Sequence, residues 1–131
     1  MENLTWKIRI SLLWLFVAVA SLLSATIFIM EPGGLEEMVS ELAAGGPGMY
    51  LFVAIHYLVA LAMAILSVTL KDVANRWANI ILGIVFTGLY IVGLIEQLAQ
   101  PTAHQILMAG SAVVATALIA WYAWKWPKQE A

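Results

Sequence analysis

The sequence predicts an all-α fold: a four-helix transmembrane bundle with one short amphipathic helix at the outer membrane interface. Two observations predict it. The stretches 10–30, 49–70, 77–95 and 103–124 contain no Asp, Glu, Lys or Arg, and each has the about 20 apolar residues, at ~1.5 Å apiece, that cross ~30 Å of hydrocarbon. All six basic residues then fall on one side of these runs: Lys7 and Arg9 before the first, Lys71 and Arg76 between the second and third, Lys125 and Lys128 after the fourth. Lys and Arg concentrate in short cytoplasmic loops, so the expected location is the cell membrane, with both termini cytoplasmic.

Composition agrees. Of 131 residues 63% are hydrophobic and 11% charged, with a mean hydropathy of +0.93. A soluble domain of this length has too much surface to hide so many apolar side chains. A single membrane domain covering residues 1–131 is expected, with spans at about 10–30, 49–70, 77–97 and 103–124 and no room for a soluble catalytic domain. Lys7 and Arg9 resemble the start of a signal peptide, but an apolar run reaching Met30 exceeds the ~7–15 residues of its hydrophobic segment. Having no Cys, the chain cannot form disulfides or thiolate metal sites. Without a basic stripe facing water, a nucleic-acid partner is not expected.

The first span ends at Glu31-Pro32-Gly33-Gly34, because proline cannot continue a helix and the glycines permit a sharp turn. In 35–44, Leu35, Met38, Val39 and Leu42 recur at i, i+3, i+4, i+7, while Glu36, Glu37, Ser40 and Glu41 fill the other positions. This is an amphipathic helix of about three turns, too short to span, with its apolar stripe on lipid or capping the bundle. Gly45-Gly46-Pro47-Gly48 turns the chain into the second span. Asp72 and Arg76 are spaced for an i,i+4 pair at the start of the third, and Pro101-Thr102 suits the start of the fourth. Connections this short predict antiparallel, adjacent consecutive helices.

Trp6, Trp121, Trp124 and Trp126 belong at the inner membrane–water boundary, where indoles settle. Small residues every fourth position mark helix contacts: Ala20 and Ser24, Gly83 and Thr87, and Ala112, Thr116 and Ala120. Those faces also suit a second copy of the chain or a partner membrane subunit. No internal repeat is evident.

Lys7-Ile8-Arg9-Ile10-Ser11, Leu13-Trp14, Glu31-Pro32-Gly33 with Leu35-Glu36-Glu37, Leu66-Ser67 and Asn75-Arg76-Trp77-Ala78-Asn79 together give a pattern over most of the chain. It resembles a family of short prokaryotic four-helix membrane proteins of unknown function. The resemblance implies fold and membrane location and brings no activity or catalytic residue.

Within the spans the ionisable residues are His56, and Glu96 and His104 near the outer ends of the third and fourth. Such groups are costly in a membrane and usually face the bundle interior. By helical rise His56 lies ~12 Å below the outer boundary. With Glu96 the first expected partner of His56, and Tyr90 or Thr87 as neutral alternatives, an outer-half site of His56, Glu96, His104 and Tyr90 is the candidate ligand site. It suits an apolar or amphiphilic small molecule that the protein binds or helps to transport. The bland reading is solvated Glu96 and His104 with His56 bonded to a neighbouring helix. At the inner side Asn75, Arg76 and Asn79 could hold a phosphate or lipid head group at a helix start; the competing reading is a capped helix start with Arg76 paired to Asp72.

Two further classes stand behind these: an accessory subunit of a membrane complex, and a small haem- or metal-binding membrane protein. No H-x-x-x-H or H-E-x-x-H spacing supports metal, and His56 and His104 differ in depth by roughly two turns, which disfavours haem between them. No cofactor and no catalytic residue is assigned, and membrane lipid is the one certain surrounding. The first span lacks the embedded Glu of small multidrug exporters, no span holds a retinal lysine, and enzymatic activity is not expected.

Overall fold

The computed structural model describes residues 2–126, so Lys128 lies outside the described residues. The described residues form five helices: α1 (Glu2–Met30), α2 (Gly34–Gly45), α3 (Pro47–Thr69), α4 (Asp72–Gln97) and α5 (Ala103–Lys125). Four of them, α1, α3, α4 and α5, are long and apolar enough to cross a membrane. The protein is an integral membrane, all-α bundle. α1 and α4 begin before their apolar runs, because Lys, Arg, Asp and Asn can occupy a helix that emerges at the interface.

The turns follow the glycines. Gly33 takes φ 78° and Gly46 φ 72°, left-handed values that residues with a side chain rarely adopt. Gly34 is buried, and a Cβ there would lie 1.9 Å from the Phe28 carbonyl oxygen, so the α1–α2 turn needs glycine for space as well. Pro47 opens α3, where its missing N–H costs nothing. In α2, Met38 and Leu42 are half-buried whereas Leu35 and Val39 are exposed.

Side-chain size decides which helices touch. On the α4–α5 seam a Cβ at Gly83 would lie 3.0–3.2 Å from Ala120 backbone and side-chain atoms. One turn further on, the Thr87 and Thr116 hydroxyls are 3.0 Å apart. These small residues let the backbones close, as their spacing predicts. α1 packs extensively on both α3 and α5, giving the order α3–α1–α5–α4 around the bundle. α3 and α4, consecutive and joined by a short link, are neighbours as short connections predict, but they meet through side chains with little close backbone approach. Large rings stand between them: His56 stacks on Phe86 at 5.3 Å, and Tyr90 meets His56 edge-on at 5.5 Å.

One end of the bundle gathers the described basic residues. Lys7 Nζ is 3.0 Å from Asp72 Oδ1 and donates to the Leu70 carbonyl. The Arg9 guanidinium lies over the Trp6 and Tyr122 rings at 5.3 and 5.2 Å. Arg76 donates from Nε to Ala123 O (3.1 Å) and from Nη2 to Trp124 O (3.3 Å). It therefore caps the last carbonyls of α5, where a cation is favoured. Trp121 and Trp124 are exposed there, but Trp126 is buried in the core rather than placed at the boundary with them. The glutamates of α2 and the turn before it occupy the opposite end.

Candidate functional site

At the acidic end the four long helices and α2 line a partly open cavity of about 770 Å³, within the ~300–1,000 Å³ range of small-molecule sites. Its floor is aromatic and hydroxylic. His56 and Tyr57 are sequence neighbours on α3, about 100° apart around the helix, so one reaches α4 and the other α1. His56 Nε2 and Tyr90 Oη share a hydrogen bond of 2.6 Å, and Tyr90 Oη shares a second, of 2.7 Å, with Ser21 Oγ. Tyr57 Oη donates to the Ser21 carbonyl at 3.3 Å. Three helices are tied together at this level by five polar atoms, each a neutral or polar group whose bonding satisfies it in a dry interior.

The rim is built from the turn after α1 and the start of α5. His104 donates to the Glu31 carboxylate, Gln105 Nε2 donates to the same oxygen at 3.2 Å, and Ser24 Oγ donates to Gln105 Oε1 at 3.1 Å. The hydrogen bond from His104 holds the Glu31 carboxyl below its ordinary value; the Gln105 bond and the His104 charge act in the same direction, and desolvation opposes them. Glu37 and Glu41 line the cavity from α2, and Glu96 lines it from the end of α4. Among the described residues no Lys or Arg lines it, and none places an ion-pairing cation on these three carboxylates. Thr102 also lines the cavity, its hydroxyl oxygen buried with no hydrogen-bond partner.

Of the residues singled out by sequence, His56, Tyr90 and Glu96 line this one cavity. The partner of His56 is Tyr90, the neutral alternative, and not Glu96, which is exposed at the rim. Glu96 lies six residues beyond Tyr90, roughly 9 Å along the helix. His104 stands outside the lining and acts on it through Glu31. The two imidazoles serve different partners, and among the described residues no group of three or more His, Cys, Asp or Glu is placed to hold a metal.

Asn75, Arg76 and Asn79 do not converge on a shared anion cradle. Asn75 and Asn79 are fully buried. Asn79 Oδ1 accepts from Trp14 Nε1 at 2.6 Å and from Ser67 Oγ at 3.3 Å, while its Nδ2 donates to Asn75 Oδ1 at 2.7 Å. Asn75 Nδ2 donates to Ser67 O at 2.7 Å. Arg76 turns the other way, to α5. The amides are consumed in joining α1, α3 and α4.

Sequence reasoning missed Ser21, Tyr57, Glu31 and Gln105. Ser21 and Ser24, three apart, were a readable signal of a polar strip on one face of α1. Glu31 was hidden by its role in a turn. No family model, curated protein or solved structure matches this chain.

Proposed function

We propose that this membrane protein holds an apolar or amphiphilic small molecule in the cavity at its acidic end, binding it or helping it to move through the membrane. We also propose that the basic end faces the cytoplasm, as the distribution of Lys and Arg favours, which puts the cavity in the outer half of the bilayer. The observation that carries the reading is the cavity itself: about 770 Å³ of space among four packed helices, floored by polar groups that are bonded to one another. The lining mixes apolar side chains such as Phe28, Met38 and Met108 with polar ones, which suits an amphiphile.

The test is native mass spectrometry of protein released gently from its own membrane. Wild-type protein is expected to carry a discrete small-molecule adduct, and His56→Ala to lose it while keeping its helical circular dichroism. An adduct-free wild type, or one whose adduct survives both His56→Ala and Tyr90→Phe, would overturn the reading.

A further inference from the structure

The walls of the cavity are not equivalent. The α4–α5 side is closed by the turn that joins the two helices, whose Ala99, Gln100, Pro101 and Thr102 line the cavity. The α1–α5 side is closed by the Ser24–Gln105–Glu31 bonds, and the α1–α3 side by Tyr57 on Ser21. Between α3 and α4 only the His56–Tyr90 bond crosses at this level. Beyond it, residues 49–55 of α3 are never buried; seven consecutive residues cover about two turns and thus every face of the helix. α3 contributes only His56 and Tyr57 to the lining, both at the floor. Opposite this unwalled stretch α4 presents Gly93, which lines the cavity and whose Cβ position has no atom within 4 Å.

Resting on the reading of the cavity as a ligand site, we propose that the α3–α4 gap is a lateral portal from the bilayer and that the occupant is a cationic amphiphile. Its positive head group lies among Glu37, Glu41 and Glu96, and its tail leaves over the His56–Tyr90 bond into the lipid. Charge complementarity selects the head: three exposed carboxylates line the space at its rim, and no Lys or Arg among the described residues lines it with them. Glu31 is already matched by His104. The gap between α3 and α4 selects the tail, because a molecule dissolved in the leaflet meets it directly. No bond is made or broken; the event is binding and release.

The experiment uses full-length protein in zwitterionic nanodiscs and three photoreactive probes with the same 16-carbon chain: a trimethylammonium, an alcohol and a sulfate. Labelling around Tyr90 and Gly93 by the ammonium probe should saturate, exceed that by the alcohol at least tenfold, and be competed by unlabelled hexadecyltrimethylammonium but not by tetramethylammonium. Gly93→Trp, which fills the space, should abolish it, and Gly88→Trp on the open side of the same helix should not. Glu37→Gln, Glu41→Gln and Glu96→Gln combined should remove the preference for the ammonium probe without altering the melting temperature. Equal saturable labelling by ammonium and alcohol would overturn the cationic class and leave a ligand pocket standing. Competition by tetramethylammonium would overturn the lateral route. Labelling that never saturates, or that survives Gly93→Trp, would overturn the pocket itself.

Discussion

Asn79 is the residue on which most depends at the basic end, because its one amide joins Trp14, Ser67 and Asn75 inside the bundle. Asn79→Ala leaves the Trp14 N–H and the Ser67 hydroxyl without their acceptor, and in a membrane each lost interhelical bond costs about 1–2 kcal/mol. The variant is expected to unfold at correspondingly lower denaturant in detergent; an unchanged midpoint would mean that the network is dispensable. The i,i+4 spacing of Asn75 and Asn79 was legible as a polar face, but its direction was not, since a helix start at the interface and a buried seam use the same amides. Glu31 offers a second test at this scale. Its carboxyl is held below its ordinary value of 4.5, first by the His104 hydrogen bond. The bonded rim is therefore stabilised above that value and loses the contribution as pH falls through the lowered one. Amide exchange across the α1–α2 turn should accelerate on such acidification, and Glu31→Gln should abolish that pH dependence.

Among the elements, α2 depends on its first residue. A Cβ at Gly34 would meet the Phe28 carbonyl oxygen at 1.9 Å, a backbone contact that no side-chain rearrangement relieves. Gly34→Ala is expected to lift α2 from the bundle, read as rapid proteolysis within residues 35–44, whereas substitution at exposed Ser40 should leave the segment protected. Protection retained in Gly34→Ala would refute that account of the turn. The helix itself was legible from its period, within a residue at either end. Which way it faced was not. The period aligns Leu35, Met38, Val39 and Leu42 as one stripe, but the stripe straddles the contact: Met38 lines the cavity with Glu37 and Glu41, while Leu35 and Val39 are exposed. Hydrophobic periodicity assumes an apolar interior, and here the interior beneath α2 is partly polar.

For the whole molecule, four spans were readable because length and charge exclusion alone define them. Their order around the bundle was not, because it depends on glycine at position 83 and aromatic rings at positions 56, 86 and 90, a contrast in volume that no periodicity reports. Orientation has a direct test in a chain without cysteine. Ser40→Cys should react with an impermeant thiol reagent added outside intact cells and Val73→Cys should not; the reverse pattern would place the basic end outside. The spacing between α3 and α4 also bears on how the bundle is put together. Residues before Lys71 contain one well-packed pair of spans, α1 with α3, and residues from Lys71 onward contain another, α4 with α5; the α1–α5 seam joins the two. The peptide bond at 70–71 thus connects two well-packed helix pairs, and the second begins with Lys71 and Arg76. Coexpressed as separate polypeptides, residues 1–70 and 71–131 should find each other in the bilayer and copurify as one bundle, whereas a cut within the 98–102 turn, dividing the α4–α5 pair, should not be rescued in this way.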